Sequence, residues 1–363
     1  MNRETALAVL SAWFDRPGGV ERAQRTLAAA APELLAERVR AHGIAAIALE
    51  VSGRFELPEV KVEALKDTAR GEAARALLLE PALEELGAEA HKKGLPAVLV
   101  KGLALDQGAY PHPGLRAASD LDLIVRAEDR PAWDELLVAL RYEHYIDVDR
   151  TWRRNDHATV DLHLCSSDLV GVIGVPDDLS PVRLDIPGIF DRAISLQALP
   201  VPVPAPEDHM VISAAHGLGV HLYERLMWLV DAAVLLPKCD VNRLVELARS
   251  TGADRLLFHA LTLCRELDLA DVRGDLLSRL RPARRGFVEK KLMRRLATGA
   301  LPDRSEFLLA LALPAPKGYK RELLRRGLLP SRRTVNYGRT GAGRGTIAHF
   351  ARALRLAWLA TVG

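Results

Sequence analysis

The sequence has little sulfur, few aromatic rings and no long apolar run. Three cysteines stand among its 363 residues, Cys165, Cys239 and Cys264. An odd number at wide spacing builds neither a disulfide framework nor a cysteine-rich zinc site, and it points to a reducing, cytoplasmic setting. No stretch approaches the ~20 consecutive apolar residues that a membrane-crossing helix needs, so no stable membrane insertion is expected. The apolar segment 6–14 has Glu4 beside it and no cleavage signal after it, which makes it an amphipathic first helix rather than a leader. With 26 glycines and 21 prolines the chain is far from collagen-like or low-complexity composition. Aromatic residues are only 5%, and the N-terminal third is dense in Ala, Leu, Glu and Arg, the vocabulary of helices rather than of β-sandwiches.

What is present is a globular composition, 49% hydrophobic and 27% charged, on a chain long enough for two or three domains and a sizeable core. The net charge of +3 hides an uneven distribution: from Asp271 onward there are 21 Lys and Arg against 6 Asp and Glu, leaving the first 270 residues at −12. Such a basic tail is a hint of polyanion binding, and equally an ordinary solvated face packed on an acidic partner region.

The texture divides the chain into three: residues 1–92, an N-terminal helical region; 93–199, a small α/β unit; and 200–363, a C-terminal helical region with the basic tail. A long helix is expected from Lys61 to Lys93, bent by Pro81 and ended by Gly94. Nothing in residues 1–92 looks chemical. At Leu95 an apolar strand, 96–100, runs into Lys101-Gly102 and a helical pattern through Tyr110. Asp120 to Val125 alternates as a strand, Pro131 opens an amphipathic helix, and further strands are expected at 142–148, 151–153 and 158–164. Residues 199–206, Leu-Pro-Val-Pro-Val-Pro-Ala-Pro, read as an extended, semi-rigid linker to a second set of helices. The last of these is expected at 346–359. The glycine-rich stretch 338–346 has no lysine before a Ser or Thr, as a phosphate loop requires, and reads as a flexible basic linker.

Asp120 and Asp122 lie two residues apart on a strand, so both carboxylates emerge on one face. Like charges so placed resist burial unless a cation neutralises them, and Mg²⁺ takes one or two carboxylates together with phosphate oxygens. Taken alone, a D-x-D pair also fits a solvated edge strand. Lys101-Gly102 is a strand-to-helix turn whose glycine lets a ligand approach the backbone, or simply a turn glycine. The strand Thr159-Val160-Asp161-Leu162-His163-Leu164 projects Asp161 and His163 on one face and the apolar residues on the other. Asp147, Asp149, Asp156 and Asp168 compete with Asp161 as a third carboxylate. His209, His216 and His221 are not spaced as helical metal ligands and read as core or surface residues. Asp231 either faces a cleft or ties down neighbouring backbone.

In this order the features resemble the polymerase-β-like nucleotidyltransferase superfamily: a glycine turn opening a helix, D-x-D on a strand, a third Asp on a neighbouring strand. More closely, the chain is similar to an uncharacterised bacterial nucleotidyltransferase family through Lys101-Gly102, Tyr110, Arg116, Asp120-Leu121-Asp122-Leu123, Val160-Asp161-Leu162-His163, Pro206-Glu207-Asp208, His216 and Leu226…Asp231. The likeness is clear over residues 95–236, and fainter in the flanks, including Leu329-Pro330-Ser331. The resemblance implies an α+β, predominantly helical fold, with a small mixed β-sheet nucleotidyltransferase core between N- and C-terminal helical regions. It also implies Asp120, Asp122 and Asp161 as catalytic residues holding two Mg²⁺ ions. Lys101, Gly102, Arg116 and His163 would contact the nucleotide, His163 being equally readable as an acceptor contact or as a hydrogen-bonded structural histidine. Gly102-Leu103 departs from the superfamily's Gly-Ser, so Lys101 or Arg116 takes over the missing hydroxyl's phosphate contact.

The activity so implied moves a nucleoside monophosphate, AMP by default, from an NTP, ATP by default, to a hydroxyl or phosphate of an acceptor, with pyrophosphate leaving. A small molecule, a peptide or protein, and an RNA end are all open as acceptors. The alternative is a non-catalytic nucleotide- or RNA-binding module of the same fold. Against it stands the keeping of three mutually repelling carboxylates, for which an idle site has no physical reason.

Overall fold

A computed structural model describes residues 3–145, 150–154, 159–170, 175–299 and 305–328. Four helices open the chain, α1 (Glu4–Trp13), α2 (Gly19–Ala29), α3 (Pro32–His42) and α4 (Ala45–Ser52), followed by the 34-residue α5 (Glu59–Lys92). At ~1.5 Å rise per residue α5 is about 50 Å long, and it is continuous across Pro81. Its apolar positions serve two cores in turn, Leu65 in the first and Leu79, Leu83 and Leu86 in the second.

The α/β unit follows as β1 (Ala97–Val100), α6 (Gly102–Gly108), β2 (Asp120–Val125), α7 (Arg130–Ala139), β3 (Glu143–His144), β4 (Thr151–Arg153) and β5 (Thr159–His163). These strands form one mixed sheet in the order β1-β2-β5-β4-β3. Only β2 and β5 run parallel, as a connection through α7 and a hairpin allows. The fold is thus α+β and mostly helical with a small mixed sheet, as the sequence implied. Of the strand expected at 142–148, the described residues show Glu143–His144; residues 146–148, the expected helix 346–359, the stretch 338–346 and Leu329-Pro330-Ser331 lie outside the described residues.

Residues 199–206 are not a solvated linker. The Leu99 N–H donates to Pro202 O at 2.9 Å, Ile194 and Val203 exchange both backbone bonds, and Val201 and Val203 are buried. A proline cannot donate to a ladder, but its carbonyl accepts, which suits this segment to the outer edge of β1. Beyond the sheet run α8 (Ser166–Val170), α9 (Ile186–Arg192), α10 (Pro206–Gly219), α11 (Met227–Leu235), α12 (Val241–Ser250), α13 (Asp254–Glu266), α14 (Gly274–Leu280), α15 (Phe287–Thr298), α16 (Ser305–Ala312) and α17 (Tyr319–Leu328).

Strand alternation sorts the sheet's two faces. Leu99, Leu121, Leu123, Val160 and Leu162 pack on α7 and the second half of α5. Val98, Val100 and Ile124 join a larger core that α1–α4 share with α10–α15. Asp120, Asp122, Asp161 and His163 lie on this second face, toward the helical body.

Candidate active site

The parallel register of β2 and β5 sets Asp122 directly opposite Asp161. Asp120 is one step of the same face away, opposite Thr159. His163, only 1% exposed, brings Nε2 within 2.8 Å of Asp122 Oδ1. Asp122, Asp161 and His163 offer ligand-type atoms within 4.8 Å of one another. Burial and Lys101 hold the His163 ring neutral, so the nitrogen facing a carboxylate oxygen carries the proton and donates. In this state His163 orients Asp122, and it is not among the residues that line the cavity beside this sheet face.

Burial works against the ionised form of Asp122, but Lys101, with Nζ 2.6 Å from Oδ1, and His163 outweigh it and hold the carboxyl far below its ordinary range. Asp120 goes the other way: burial first, then the charge of Asp122, push it up to about 7. Asp161 Oδ1 is buried without a hydrogen-bond partner. An unpartnered carboxyl oxygen beside an ionised carboxylate is a position suited to a cation.

Lys101 has φ 58 and ψ −136, a strained conformation for a side-chain-bearing residue. It is held by His209 on α10, whose Nε2 accepts the Lys101 N–H at 3.0 Å. Burial lowers His209 to about 3, leaving it a neutral acceptor. Gly102 follows because its backbone runs against the segment that leads into β2: a Cβ there would stand 2.9 Å from the Ala118 Cβ. Asp106 on α6 accepts from the N–H groups of Gly114 and Arg116, fastening the turn-rich segment that leads into β2. Arg116 is paired through Nε and Nη2 with the two oxygens of Asp231, which also accepts from the Tyr110 hydroxyl at 2.7 Å. Asp231, left open by the sequence, thus ties α11 to the loop.

A cavity of about 340 Å³ lies between this sheet face and the helices, and Lys101, Gly102, Arg116, Asp120 and Asp122 line it. His216 on α10, Trp228 on α11 and His221 in the turn between them line it from the other side. The His221 ring is stacked on Trp228 and burial lowers its pKa to about 4. Residues 1–92, in which the sequence shows nothing chemical, contribute Arg40, Glu72 and Arg75. No local pattern marks these, because only packing brings them to the site. Of the rival carboxylates, Asp168 accepts from the Leu164 N–H, and Asp147, Asp149, Asp156 and the nearby His157 lie outside the described residues.

A mixed sheet with carboxylates gathered on adjacent parallel strands, beside a Lys-Gly turn, is the frame that the sequence resemblance implied for a nucleotidyltransferase. Residues 28–267 match the family model described as uncharacterised nucleotidyltransferase, and the chain belongs to that family. No curated protein matches the chain. Among solved structures it is similar to the solution structure of the antibiotic-resistance factor ANT(2'')-Ia, at 13% identity and a TM-score of 0.34, covering 47% of this chain and 89% of that one. It is likewise similar to the crystal structure of ANT(2'')-Ia in complex with adenylyl-2''-tobramycin, at 13% identity and a TM-score of 0.35, covering 47% and 95%.

Proposed function

We propose that this chain transfers a nucleoside monophosphate, AMP taken first, from an NTP to a hydroxyl or phosphate of an acceptor, in a reaction that requires a divalent cation and releases pyrophosphate. The observation that carries the reading is the juxtaposition of Asp122 and Asp161 across β2 and β5, with Asp120 on the same face. The donor set suits a hard, oxygen-seeking ion such as Mg²⁺, and the orphaned, buried Asp161 Oδ1 is the kind of atom that such an ion satisfies. Asp122 and Asp161 would hold it, with Asp120 at the margin. When bound, the metal neutralises charge on the phosphate oxygens and lowers the pKa of an acceptor hydroxyl.

The chain's own groups do the rest. Lys101 balances Asp122 from one side and His163 orients it from the other. Arg116, locked to Asp231, presents a fixed positive charge at the cavity wall. The helices α3, α5 and α11, together with the loop before α11, supply the wall of the cavity opposite the sheet.

Pyrophosphate release in the presence of each NTP, with and without Mg²⁺, tests the reading. Asp122→Asn is expected to abolish the metal-dependent release. Thermal stabilisation by an NTP that needs no metal and survives Asp122→Asn would favour the non-catalytic module instead. Incubation with α-labelled NTPs and a lysate then identifies whether the acceptor is protein, RNA or a small molecule.

A further inference from the structure

Five cationic side chains line the catalytic cavity, and two are already paired, Lys101 with Asp122 and Arg116 with Asp231. The other three are Arg40 on α3, Arg75 on α5 and Arg225 in the loop before α11. They come from three elements far apart in sequence, all are exposed, and none makes an ion pair among the described residues. Two carboxylates stand on the same wall, Glu72 and Glu224; Glu72 accepts a backbone bond from Ala45 and feels Arg225, Arg40 and Arg75 together. Three guanidinium groups against two carboxylates leave this wall with an excess of positive charge, and because all three are exposed no core packing requires them there.

We propose that Arg40, Arg75 and Arg225 form a second anion subsite in this cavity, which takes a phosphate group carried by the acceptor. The proposal rests on the nucleotidyltransferase reading above for the identity of the donor. A polyphosphate chelated to a divalent cation suits the carboxylate wall, where the carboxylates hold the cation. A phosphate without a metal is repelled by that wall and attracted by planar guanidinium forks, which match its oxygens bidentately. The two walls therefore sort two phosphate-bearing ligands, the metal-bound donor on the sheet side and the acceptor on the helical side. The class of acceptor so defined is a phosphomonoester or phosphodiester whose hydroxyl reaches toward the carboxylate wall of Asp120 and Asp122.

The test uses the full chain, inorganic phosphate as probe, and the non-hydrolysable α,β-methylene analogue of ATP with Mg²⁺. Calorimetric titration is expected to show one phosphate binding to protein already saturated with the analogue. Combining Arg75→Ala with Arg225→Ala should weaken phosphate at least tenfold and leave the affinity for the analogue within twofold, with Arg75→Lys and Arg225→Lys intermediate. Because these side chains are exposed, the variants should melt with the parent. Competition between phosphate and analogue, with the double variant losing the analogue, would make the rim part of the donor site and overturn the proposal. Phosphate binding that the substitutions leave unchanged would also overturn it. If the unmodified chain does not bind the analogue, the nucleotidyltransferase reading fails, while the phosphate titration of parent against variant still decides the rim.

Discussion

Asp120 and Asp122 are two residues apart on one strand and have opposite acid strengths. Asp122 is held ionised by Lys101 and His163 in spite of its burial, whereas Asp120 is pushed up to about 7 by burial and by Asp122. Between the unfolded value near 4 and about 7, the folded metal-free chain keeps a proton on Asp120 that the unfolded chain has lost. Its stability therefore falls as pH rises through that window. Asp122, depressed below its unfolded value, stays ionised throughout and adds no slope there. A divalent ion competes with the Asp120 proton, so affinity for Mn²⁺ should rise about tenfold from pH 6 to pH 8 with release of one proton. Asp120→Asn should flatten the profile. Calorimetry in buffers of different ionisation enthalpy measures both, and a flat profile for the parent would sink the argument. His209 supplies a second case at this scale. His209→Leu leaves the Lys101 N–H without an acceptor, at a cost of about 1–3 kcal/mol, and should weaken nucleotide binding. His209→Gln, whose Oε1 can accept, should recover part of both in denaturant melts and binding titrations.

Elements position the site through a few side chains that join them. The segment between α6 and β2 has no regular structure of its own, and Asp106 and Asp231 hold it from either end through backbone N–H groups and Arg116. Asp231 is 2% exposed, so removing it takes the carboxylate partner from Arg116 and leaves the buried Tyr110 hydroxyl only the weak Met227 Sδ to donate to. Asp231→Ala is expected to cost about 3–5 kcal/mol, and Asp231→Asn, which keeps one acceptor oxygen, less. Chemical denaturation of the two variants beside the parent gives the comparison, and a loss below 1 kcal/mol for the alanine would count against the pairing. The D-x-D alternation and the Val-Asp-Leu-His strand are legible in the sequence, because a period of two needs only local information. The pairing of Asp122 with Asp161 is not, since a register is set between strands and no residue of either one states it. Residues 199–206 read as a linker for the same reason: alternating proline looks extended, and whether an extended segment is solvated or paired is decided by its neighbour.

At the scale of the whole molecule, the helices before and after the sheet share one core. Val9, Leu10, Ile44 and Ile47 are wholly buried in it together with Leu218, Leu229, Leu257 and Leu261. Arg3 spans the two groups, donating to Leu296 O and Tyr223 O. The three regions drawn at residues 92/93 and 199/200 thus describe the order of the chain, and we propose that they fold as one cooperative body. A chain lacking residues 1–58 should fail to fold, since the C-terminal helices would expose the apolar face that α1–α4 cover. Far-ultraviolet circular dichroism and gel filtration check this, and a native-like, cooperative melt of the truncated chain would refute the shared core. Among the described residues no helix is long and apolar enough to cross a membrane.

By itself the sequence determined which residues could do chemistry. Carboxylates at two-residue spacing on apolar strands, a Lys-Gly turn and a Val-Asp-Leu-His strand are local patterns, and local patterns survive without coordinates. Tertiary structure alone decided which of them meet and what surrounds them. It set Asp161 against Asp122, turned His163 toward a carboxylate, placed His209 under the Lys101 turn, and brought arginines from helices without any chemical signature to the same cavity. These are contacts between residues up to about a hundred or more positions apart. They depend on strand register and on which helix faces cover the sheet, and burial then assigns to each charge the partner that determines its acidity.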